Sequence, residues 1–180
     1  YLHESDGGFD RFYVQLASGT ALIRVFGVNP ANVTVLDISS TTASSSSAWQ
    51  CWMVSVDMAD TAKRFIYLGD TSDLGTVTTY NNVALDFTAT DWAVGAKVTG
   101  GNKFDGGLTE MLFWAGVYTD FSVQANRRLF FSASGKPVDP NVAGGAIATL
   151  GAPDVYFHLN DGETANNFVA NNDGGDGGAF

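Results

Sequence analysis

Glutamate and histidine are the first residues to consider for catalysis, and the chain has only three Glu and two His beside 16 Asp. Most glycoside hydrolases use two carboxyl groups about 5–10 Å apart across the scissile bond. Alternation places Glu110 on one strand face with Leu108 and Leu112, and no second carboxylate joins it on that strand. We therefore expect Glu110 to be a structural carboxylate, paired or capping backbone, and the sequence predicts no enzyme.

Nucleophilic catalysis and zinc binding both need histidine or cysteine at suitable spacings. His3 lies near the start of the chain, and His158 lies within the strand-like run Val155–Leu159. The nucleophile motif Gly-x-Ser-x-Gly does not occur. Cys51 is the only cysteine and lies in an apolar run, so we interpret it as a small core residue. The sequence predicts neither a nucleophile nor a transition metal.

Calcium takes oxygen ligands from Asp, Asn and backbone carbonyls in loops. Two segments are rich in these residues, Asn160-Asp161-Gly162 and Asn171-Asn172-Asp173-Gly174-Gly175-Asp176. The same residue types also supply the positive-φ positions of turns, which is the alternative interpretation. The glutamate that closes a twelve-residue EF-hand loop is missing from both segments. We predict no metal site and no cofactor.

Sugar binding needs only an aromatic face for stacking and a few polar groups for the hydroxyls. The motif Tyr80-Asn81-Asn82 offers both, and Trp92, which follows Asp91, offers a second aromatic ring. These four residues are the candidate glycan site, with a plain β-turn as the alternative interpretation of the motif. The remaining tryptophans lie in apolar runs and are expected in the core: Trp49, Trp52 and Trp114.

Composition restricts the partners of any such site. The 180 residues carry a formal net charge of −10, which disfavours nucleic acid and anionic membranes because phosphate recognition depends on clustered Lys and Arg. Hydrophobic residues make up 45% of the chain and charged residues 16%, so the chain can bury a core. The length suits one domain, residues 1–180. Because the sequence starts at Tyr1 and stops after a glycine-rich turn, we expect this domain to lack residues at both ends.

Alternation of apolar and polar residues predicts nearly ten strands. Ser18-Gly19 predicts a hairpin turn between Arg11–Ala17 and Thr20–Phe26, and a second hairpin joins Trp49–Asp57 to Lys63–Leu68. The other expected strands are 32–38, 75–80, 83–87, 91–98, 104–118 and 155–159. Many short strands separated by turns indicate an antiparallel sandwich or barrel.

Two segments interrupt the strand pattern. Ser39–Ser47 is a low-complexity Ser/Thr stretch and is expected to be a surface loop. One short helix is expected near 121–131, because Phe121, Ala125 and Leu129 recur at helical spacing. The core is expected to form from alternate residues of three strands: Trp52, Val54, Val56, Phe65, Tyr67, Leu108, Leu112 and Trp114.

Four motifs, in this order, resemble the concanavalin A-like, laminin-G-like jelly rolls. They are Trp52-Met53-Val54-Ser55-Val56-Asp57, Arg64–Asp70, Trp92–Ala96 and Phe104-Asp105-Gly106-Gly107-Leu108-Thr109-Glu110-Met111. The resemblance implies an all-β fold, a two-sheet antiparallel jelly-roll sandwich with one short helix. Glucanase members of that family carry Glu-x-Asp-x-Glu on one strand, and this sequence has no such motif.

The C-terminal part resembles a narrower group, the laminin-G-like proteins of tailed bacteriophages and prophages. The matching segments are Arg127–Phe131, Gly135–Asp139, Pro153–Phe157 and the Asn-Asp-Gly-Gly motif that precedes Phe180. This resemblance implies a non-catalytic structural component of a virion, a decoration, fibre or tail-associated protein exposed on the particle surface. Other virion proteins are then its partners, and a homo-oligomer follows from particle symmetry.

Three other functions stay open at this point. The chain is alternatively a carbohydrate-binding module that attaches a phage or bacterial surface protein to cell-surface glycan through Tyr80 or Trp92. A glycosidase would act through Glu110. A secreted bacterial adhesion module carried on a prophage-like cassette is the last alternative.

Overall fold

A computed structural model describes residues 2–6, 9–45, 47–87, 91–94 and 110–158, and it covers the backbone alone at 3–6, 9–10, 91–92 and 158. The chain divides into two compact units. The first contains Tyr1–Phe104 and Tyr118–Arg127, and the second contains Asp105–Val117 and Arg128–Phe180. No helix among the described residues is long and apolar enough to cross a membrane.

Among the described residues, antiparallel strands far outnumber helices, and the two helices are about one turn each. The strands are β1 (Leu2–Asp6), β2 (Phe9–Leu16), β3 (Leu22–Val28), β4 (Thr34–Ala43), β5 (Trp52–Val56), β6 (Arg64–Leu68), β7 (Thr71–Ser72), β8 (Leu74–Tyr80), β9 (Asp91–Val94), β10 (Glu110–Phe113) and β11 (Val155–His158). The helices are α1 (Gln124–Arg127) and α2 (Ala146–Leu150). This confirms the all-β prediction and gives a sandwich-like arrangement of antiparallel sheets.

The first unit contains a six-stranded sheet in the order β8-β4-β3-β2-β1-β9. The predicted hairpin at Ser18-Gly19 is confirmed, since β2 pairs with β3 in a register that sets Val14 opposite Val25. Gly19 has a φ of +79° in this turn, a conformation that L side chains rarely adopt. Apolar side chains of the inner strands form the core of the sheet: Val25, Val35, Leu36 and Ile38 are each 1% exposed.

The first unit also contains a three-stranded sheet, β5-β6-β7. Its predicted hairpin is also confirmed, with Val54 opposite Ile66. Asp73, just after β7, connects this sheet to the six-stranded one. Its amide donates to the carbonyl of Ile66 at 2.7 Å, and its own carbonyl accepts from the amide of Thr41 on β4 at 2.9 Å.

The described part of the second unit contains the antiparallel pair of β10 and β11. Beyond β10 the chain turns at Ala115, whose amide donates to the Asp154 carboxylate at 2.6 Å. The Trp114 indole N–H donates to the carbonyl of Gly151 at 3.0 Å, and its ring packs edge-on against Phe130. These contacts hold the residues after β10 against those before β11.

The predicted Ser/Thr loop is wrong in its first half, because Ser39–Ala43 belong to β4. Ser40 is 2% exposed. Its hydroxyl accepts from the amide of Ile23 at 2.9 Å and donates to the carbonyl of Thr42 at 2.9 Å. A buried hydroxyl with both partners carries little desolvation cost, so the polar composition of this stretch does not exclude it from a sheet.

The strand predicted over 83–87 is wrong, because this segment makes no ladder and packs beside β3 instead. Asp86 donates its amide to the carbonyl of Val28 at 3.0 Å, and its buried carboxylate pairs with Arg11 at 3.2 Å. A Cβ placed on Gly27 would lie 2.3 Å from the Leu85 side chain. A glycine at this position of β3 therefore makes room for the crossing segment.

The long strand predicted over 104–118 is a strand only over Glu110–Phe113 among its described residues. The helix predicted near 121–131 is also shorter than expected, four residues in α1. Phe121 is buried and Ala125 is exposed, so the i, i+4 pattern did not mark a buried helix face. The second helix, α2, was not predicted. It follows a bend at Gly144-Gly145, a pair that predicts irregular structure in a sequence.

The predicted core residues are mostly half-buried rather than buried. Tyr67 is buried, whereas Trp52, Val54, Val56, Phe65, Leu112 and Trp114 are half-buried, and Leu108 lies outside the described residues. On β5 the buried residues are Met53 and Ser55, the opposite alternation from the predicted one. The Ser55 hydroxyl accepts from the amide of Thr119 at 2.9 Å, so the segment Tyr118–Arg127 of the same unit contacts this face.

Candidate functional site

Tyr80 ends β8 at the edge of the six-stranded sheet, and its side chain reaches the turn between β5 and β6. The Tyr80 hydroxyl donates to the backbone carbonyl of Asp57, and the carbonyl of Asp60 lies 3.3 Å away. Lys63 closes the same turn with its ammonium 3.3 Å from the Asp57 carboxylate. The Tyr80 hydroxyl thus connects the two sheets of the first unit.

The Tyr80 ring is covered on one side by the Arg64 guanidinium, whose central carbon lies 5.0 Å from the ring centroid. This is a cation–π distance. Burial raises the pKa of Tyr80 to about 12, and the Asp57 carboxylate adds to the effect. The hydroxyl and one ring face are therefore both engaged within the protein, which leaves at most one face for a sugar.

Asn81 and Asn82 are exposed in the turn after β8. The Asn81 amide donates to the carbonyl of Val35 at 2.9 Å, and its own carbonyl accepts from the amide of Val83 at 2.7 Å. These backbone bonds fix the turn and leave the two side-chain amides at the surface. The motif Tyr80-Asn81-Asn82 forms a turn and also presents polar side chains at the surface. The turn interpretation and the glycan-site interpretation are therefore compatible.

Trp92 lies on β9, at the edge of the six-stranded sheet opposite to β8. Its backbone position is opposite Glu4 of β1. Four strands separate β8 from β9, and neighbouring strands are spaced by about 4.8 Å. The structure therefore does not bring Tyr80 and Trp92 together along the sheet, and the four candidate residues do not form one compact site.

Glu110 begins β10 and is half-buried. The Tyr156 hydroxyl on β11 lies 3.4 Å from a Glu110 carboxylate oxygen, and the Asn141 amide lies 3.3 Å from that hydroxyl. Burial raises the pKa of Tyr156 to about 12, and the charge of Glu110 adds to it. The register sets Glu110 directly opposite His158. The register thus pairs the backbone positions of Glu110 and His158, which sequence reasoning considered separately.

Among the aromatic residues, the predicted position of Trp49 differs most clearly from the structure. The expectation of a core position is wrong, because this side chain is 73% exposed. It lies three residues before β5, in the loop that follows β4. The ladder of β5 and β6 continues only as far back as Cys51, whose carbonyl accepts from the amide of Gly69 at 2.9 Å. Alternation in the sequence therefore extends past the point where pairing ends.

Arg127 is a buried cation for which the sequence analysis gives no individual role. Its Nε lies 3.0 Å from the Asp70 carboxylate, and its Nη1 donates to the carbonyls of Phe121 and Ser122. The guanidinium carbon also lies 4.8 Å from the centroid of the Tyr67 ring. Its partners are up to 57 residues away in sequence, so local pattern carries no signal for this role.

Metal-binding groups of three or more His, Cys, Asp or Glu do not occur among the residues that the structure describes. The two calcium candidates, 160–162 and 171–176, lie outside those residues. His3 is described only in its backbone, on β1 opposite Tyr13. No family model matches the sequence, and neither a curated protein nor a solved structure matches it.

Proposed function

We propose that this chain is a non-catalytic structural module of a bacteriophage virion, folded as a concanavalin A-like jelly roll and exposed on the particle surface. The all-β, antiparallel architecture supports the jelly-roll part of the proposal. The virion part rests on the resemblance of the C-terminal segments to laminin-G-like phage proteins. Other virion proteins are the proposed partners.

One observation favours a structural role over a catalytic one. Polar side chains that would suit chemistry serve to join elements: Tyr80 joins β8 to the β5–β6 turn, and Arg127 joins α1 to β6 and Asp70. On the six-stranded sheet, Arg24 forms a two-pronged ion pair with Asp37, both contacts at 2.7 Å. Groups bound in this way stabilise a rigid surface module, which is what a particle shell requires.

Asp73 gives the same indication at the boundary between the two sheets. It is 7% exposed, and its carboxylate accepts from the Thr42 amide at 3.0 Å and from the Thr42 hydroxyl at 2.7 Å. A carboxylate that satisfies two donors in this way acts as a fixed acceptor. We propose that these bonds hold the module in one shape for repeated packing, with homo-oligomers following particle symmetry.

Mass spectrometry of particles banded by density tests this proposal. The chain should be recovered in the virion band in a fixed ratio to the major shell protein, with the soluble lysate of the same culture as control. Recovery only in the secreted fraction would overturn the virion assignment and favour the bacterial adhesion module instead.

A further inference from the structure

Strand β5 lies at one edge of the three-stranded sheet, and its ladder with β6 is regular. Just beyond one end of this ladder, the Gly69 amide donates to the carbonyl of Cys51 at 2.9 Å. Just beyond the other end, the Asp57 amide donates to the carbonyl of Lys63 at 2.8 Å. Hydrogen-bonded pairs alternate with non-bonded pairs along an antiparallel ladder. The odd-numbered residues of β5 are therefore the ones that bond to β6.

The even-numbered residues of β5 direct their backbone N–H and C=O groups away from β6. They are Trp52, Val54 and Val56. The neighbouring ladder agrees, because Ile66, opposite Val54, uses its carbonyl to accept from the Asp73 amide on the far side of β6. Within the described part of the chain, no backbone group pairs with the outward groups of the three β5 residues. This edge of β5 thus presents three donors and three acceptors.

Strand β5 lacks the features that usually prevent a sheet edge from pairing. Natural edge strands are protected by charged residues, proline or bulges. The sequence Trp52-Met53-Val54-Ser55-Val56 contains no charged residue and no proline, and its ladder with β6 has no register shift. By contrast, β8, at the edge of the six-stranded sheet, has two register shifts in its ladder with β4. The edge of β5 is therefore better suited than that of β8 to accept a further strand.

A buried donor on β5 is also unpaired. The indole Nε1 of Trp52 is buried and has no hydrogen-bond acceptor among the residues that the structure describes. Buried polar groups of native proteins nearly always have a partner. The apolar side chains of Trp52, Val54 and Val56 are moreover only half-buried. Both observations indicate that a further element belongs beside β5.

The spacing of the outward groups fits a second copy of the same strand. Antiparallel pairing about Val54 sets Val54 opposite Val54 of the second copy, and Trp52 opposite Val56. Outward residues then meet only outward residues, and each of the three pairs exchanges two hydrogen bonds, which gives six. A single two-fold axis through the Val54 pair generates this arrangement. The strand is therefore self-complementary.

Charge restricts where two copies can meet, because each carries a formal net charge of −10. No Asp, Glu, Lys or Arg occurs between Asp37 and Asp57. The β5 edge thus avoids the repulsion that opposes contact between acidic surfaces. In this register Asp57 lies opposite Cys51 of the second copy, so like charges are not opposed across the pair.

From these observations we infer that β5 is a homodimer interface, at which two copies pair edge to edge about Val54 and join their three-stranded sheets into one sheet. The inference specifies the contact of the proposed homo-oligomer and rests on that proposal for its role in a particle. Its test uses the purified full chain, so its outcome is separate from recovery in virions.

Disulfide trapping tests the register. Val54→Cys in a Cys51→Ala background sets two cysteines opposite each other, with Cα atoms about 5.5 Å apart, a distance that a disulfide spans. Mild oxidation should then give a covalent dimer on a non-reducing gel. Val56→Cys in the same background is the matched control, because the two copies of this residue lie about 14 Å apart along the ladder. It should give about tenfold less covalent dimer.

Sedimentation velocity tests the association itself. The unsubstituted chain should form a dimer that dissociates on dilution through the micromolar range. Val54→Pro removes the outward N–H from each copy, and with it two of the six interface bonds, while every bond to β6 stays. It should weaken the dimer by about tenfold or more and leave the circular dichroism unchanged. If Val54→Pro does not fold, disulfide trapping decides.

Three results would overturn the inference: a monomer at every concentration, equal trapping at residues 54 and 56, or a folded Val54→Pro that dimerises with unchanged affinity. A monomeric chain recovered in the virion band would overturn the dimer and leave the virion proposal standing. A trapped dimer of a chain that is absent from that band would support the interface and overturn the virion proposal.

Discussion

At the scale of single residues, polar side chains determine how the sheets of the first unit are joined. Tyr80 and Asp73 each connect elements that are remote in sequence: the Tyr80 hydroxyl reaches a carbonyl 23 residues away, and Asp73 reaches Thr42, 31 residues away. The sequence marks Tyr80 as a polar aromatic at a turn, but the carbonyl that binds its hydroxyl carries no side-chain signature. For this reason its partner could not be predicted.

Tyr80→Phe tests the connection through the hydroxyl. Removing the hydroxyl should lower the free energy of unfolding by about 1 kcal/mol at neutral pH, the net value of an ordinary hydrogen bond. The Arg64 contact with the ring should survive, because the ring itself is unchanged. Urea denaturation measures the loss, and an unchanged midpoint would contradict the assigned role.

The same tyrosine predicts a dependence on alkaline pH. Its folded pKa is raised to about 12, above the ordinary value of 10, so the unfolded chain releases this proton first. The stability that results is fully present below about pH 10 and is lost as the pH rises to about 12. The folded pKa of Tyr156 is also about 12, so this residue adds to the loss of stability over the same pH range. The urea midpoint of unfolding should therefore fall less steeply with rising pH in Tyr80→Phe or Tyr156→Phe than in the unsubstituted chain. It should fall least steeply in the double variant.

Asp73→Ala tests the second connection. It removes a buried carboxylate that accepts two hydrogen bonds from Thr42, which should lower the free energy of unfolding by about 1–3 kcal/mol. Asp139→Ala is the matched control, because that exposed carboxylate accepts from the Asn141 amide at 2.9 Å where water can replace it. Equal midpoints for the two variants in urea would contradict the importance given to Asp73.

At the scale of elements, strand alternation predicts the pairs of β2 with β3 and of β5 with β6, because both have clear turns between them. It fails where a strand is polar, as at Ser39–Ala43, and where an apolar run makes no ladder, as at 83–87. Whether a segment pairs depends on which sheet edge is available to it, and local sequence does not predict this. The segment Tyr118–Arg127 illustrates the same limit, since Arg127 contacts Asp70, a residue remote in sequence.

Arg127→Met should detach α1 and the preceding turn from β6. The variant loses charge-assisted bonds to Asp70 and to the carbonyls of Phe121 and Ser122, which should cost about 2–3 kcal/mol. Hydrogen exchange of the Thr119 amide, bonded to Ser55, should become faster. Arg127→Lys keeps the positive charge but lacks the branched guanidinium. It should therefore be more stable than Arg127→Met and less stable than the unsubstituted chain.

Lys136→Met is the control for that experiment, because Lys136 is exposed and removing its charge should change stability by less than about 0.5 kcal/mol. If Arg127→Met and Lys136→Met behaved alike, the connection between α1 and β6 would not stabilise the first unit.

At the scale of the whole molecule, the pattern of strands and turns predicts the fold class and says little about the site. Many short strands separated by turns indicated an antiparallel architecture, and the antiparallel sheets agree. That the two compact units belong to one jelly-roll domain stays a prediction. The candidate glycan residues were predicted by type alone, whereas the exposure of Trp49 depends on where the β5 ladder stops.

The net charge of −10 predicts that the chain does not bind duplex DNA. Phosphate repels an acidic surface, and salt screens this repulsion without reversing it. Electrophoretic mobility of a labelled duplex should therefore stay unchanged by micromolar protein at low salt, where electrostatic binding is strongest. A salt-sensitive shift would contradict the prediction and reveal a basic patch.

Labelling of intact particles tests the central claim most directly. A gold-conjugated antibody raised against the folded chain would be applied to density-purified virions and imaged by electron microscopy. The proposal predicts labels at regularly repeated positions on undisrupted particles. Labels that appear only after disruption, or unlabelled particles beside labelled secreted protein, would contradict a structural module on the virion surface.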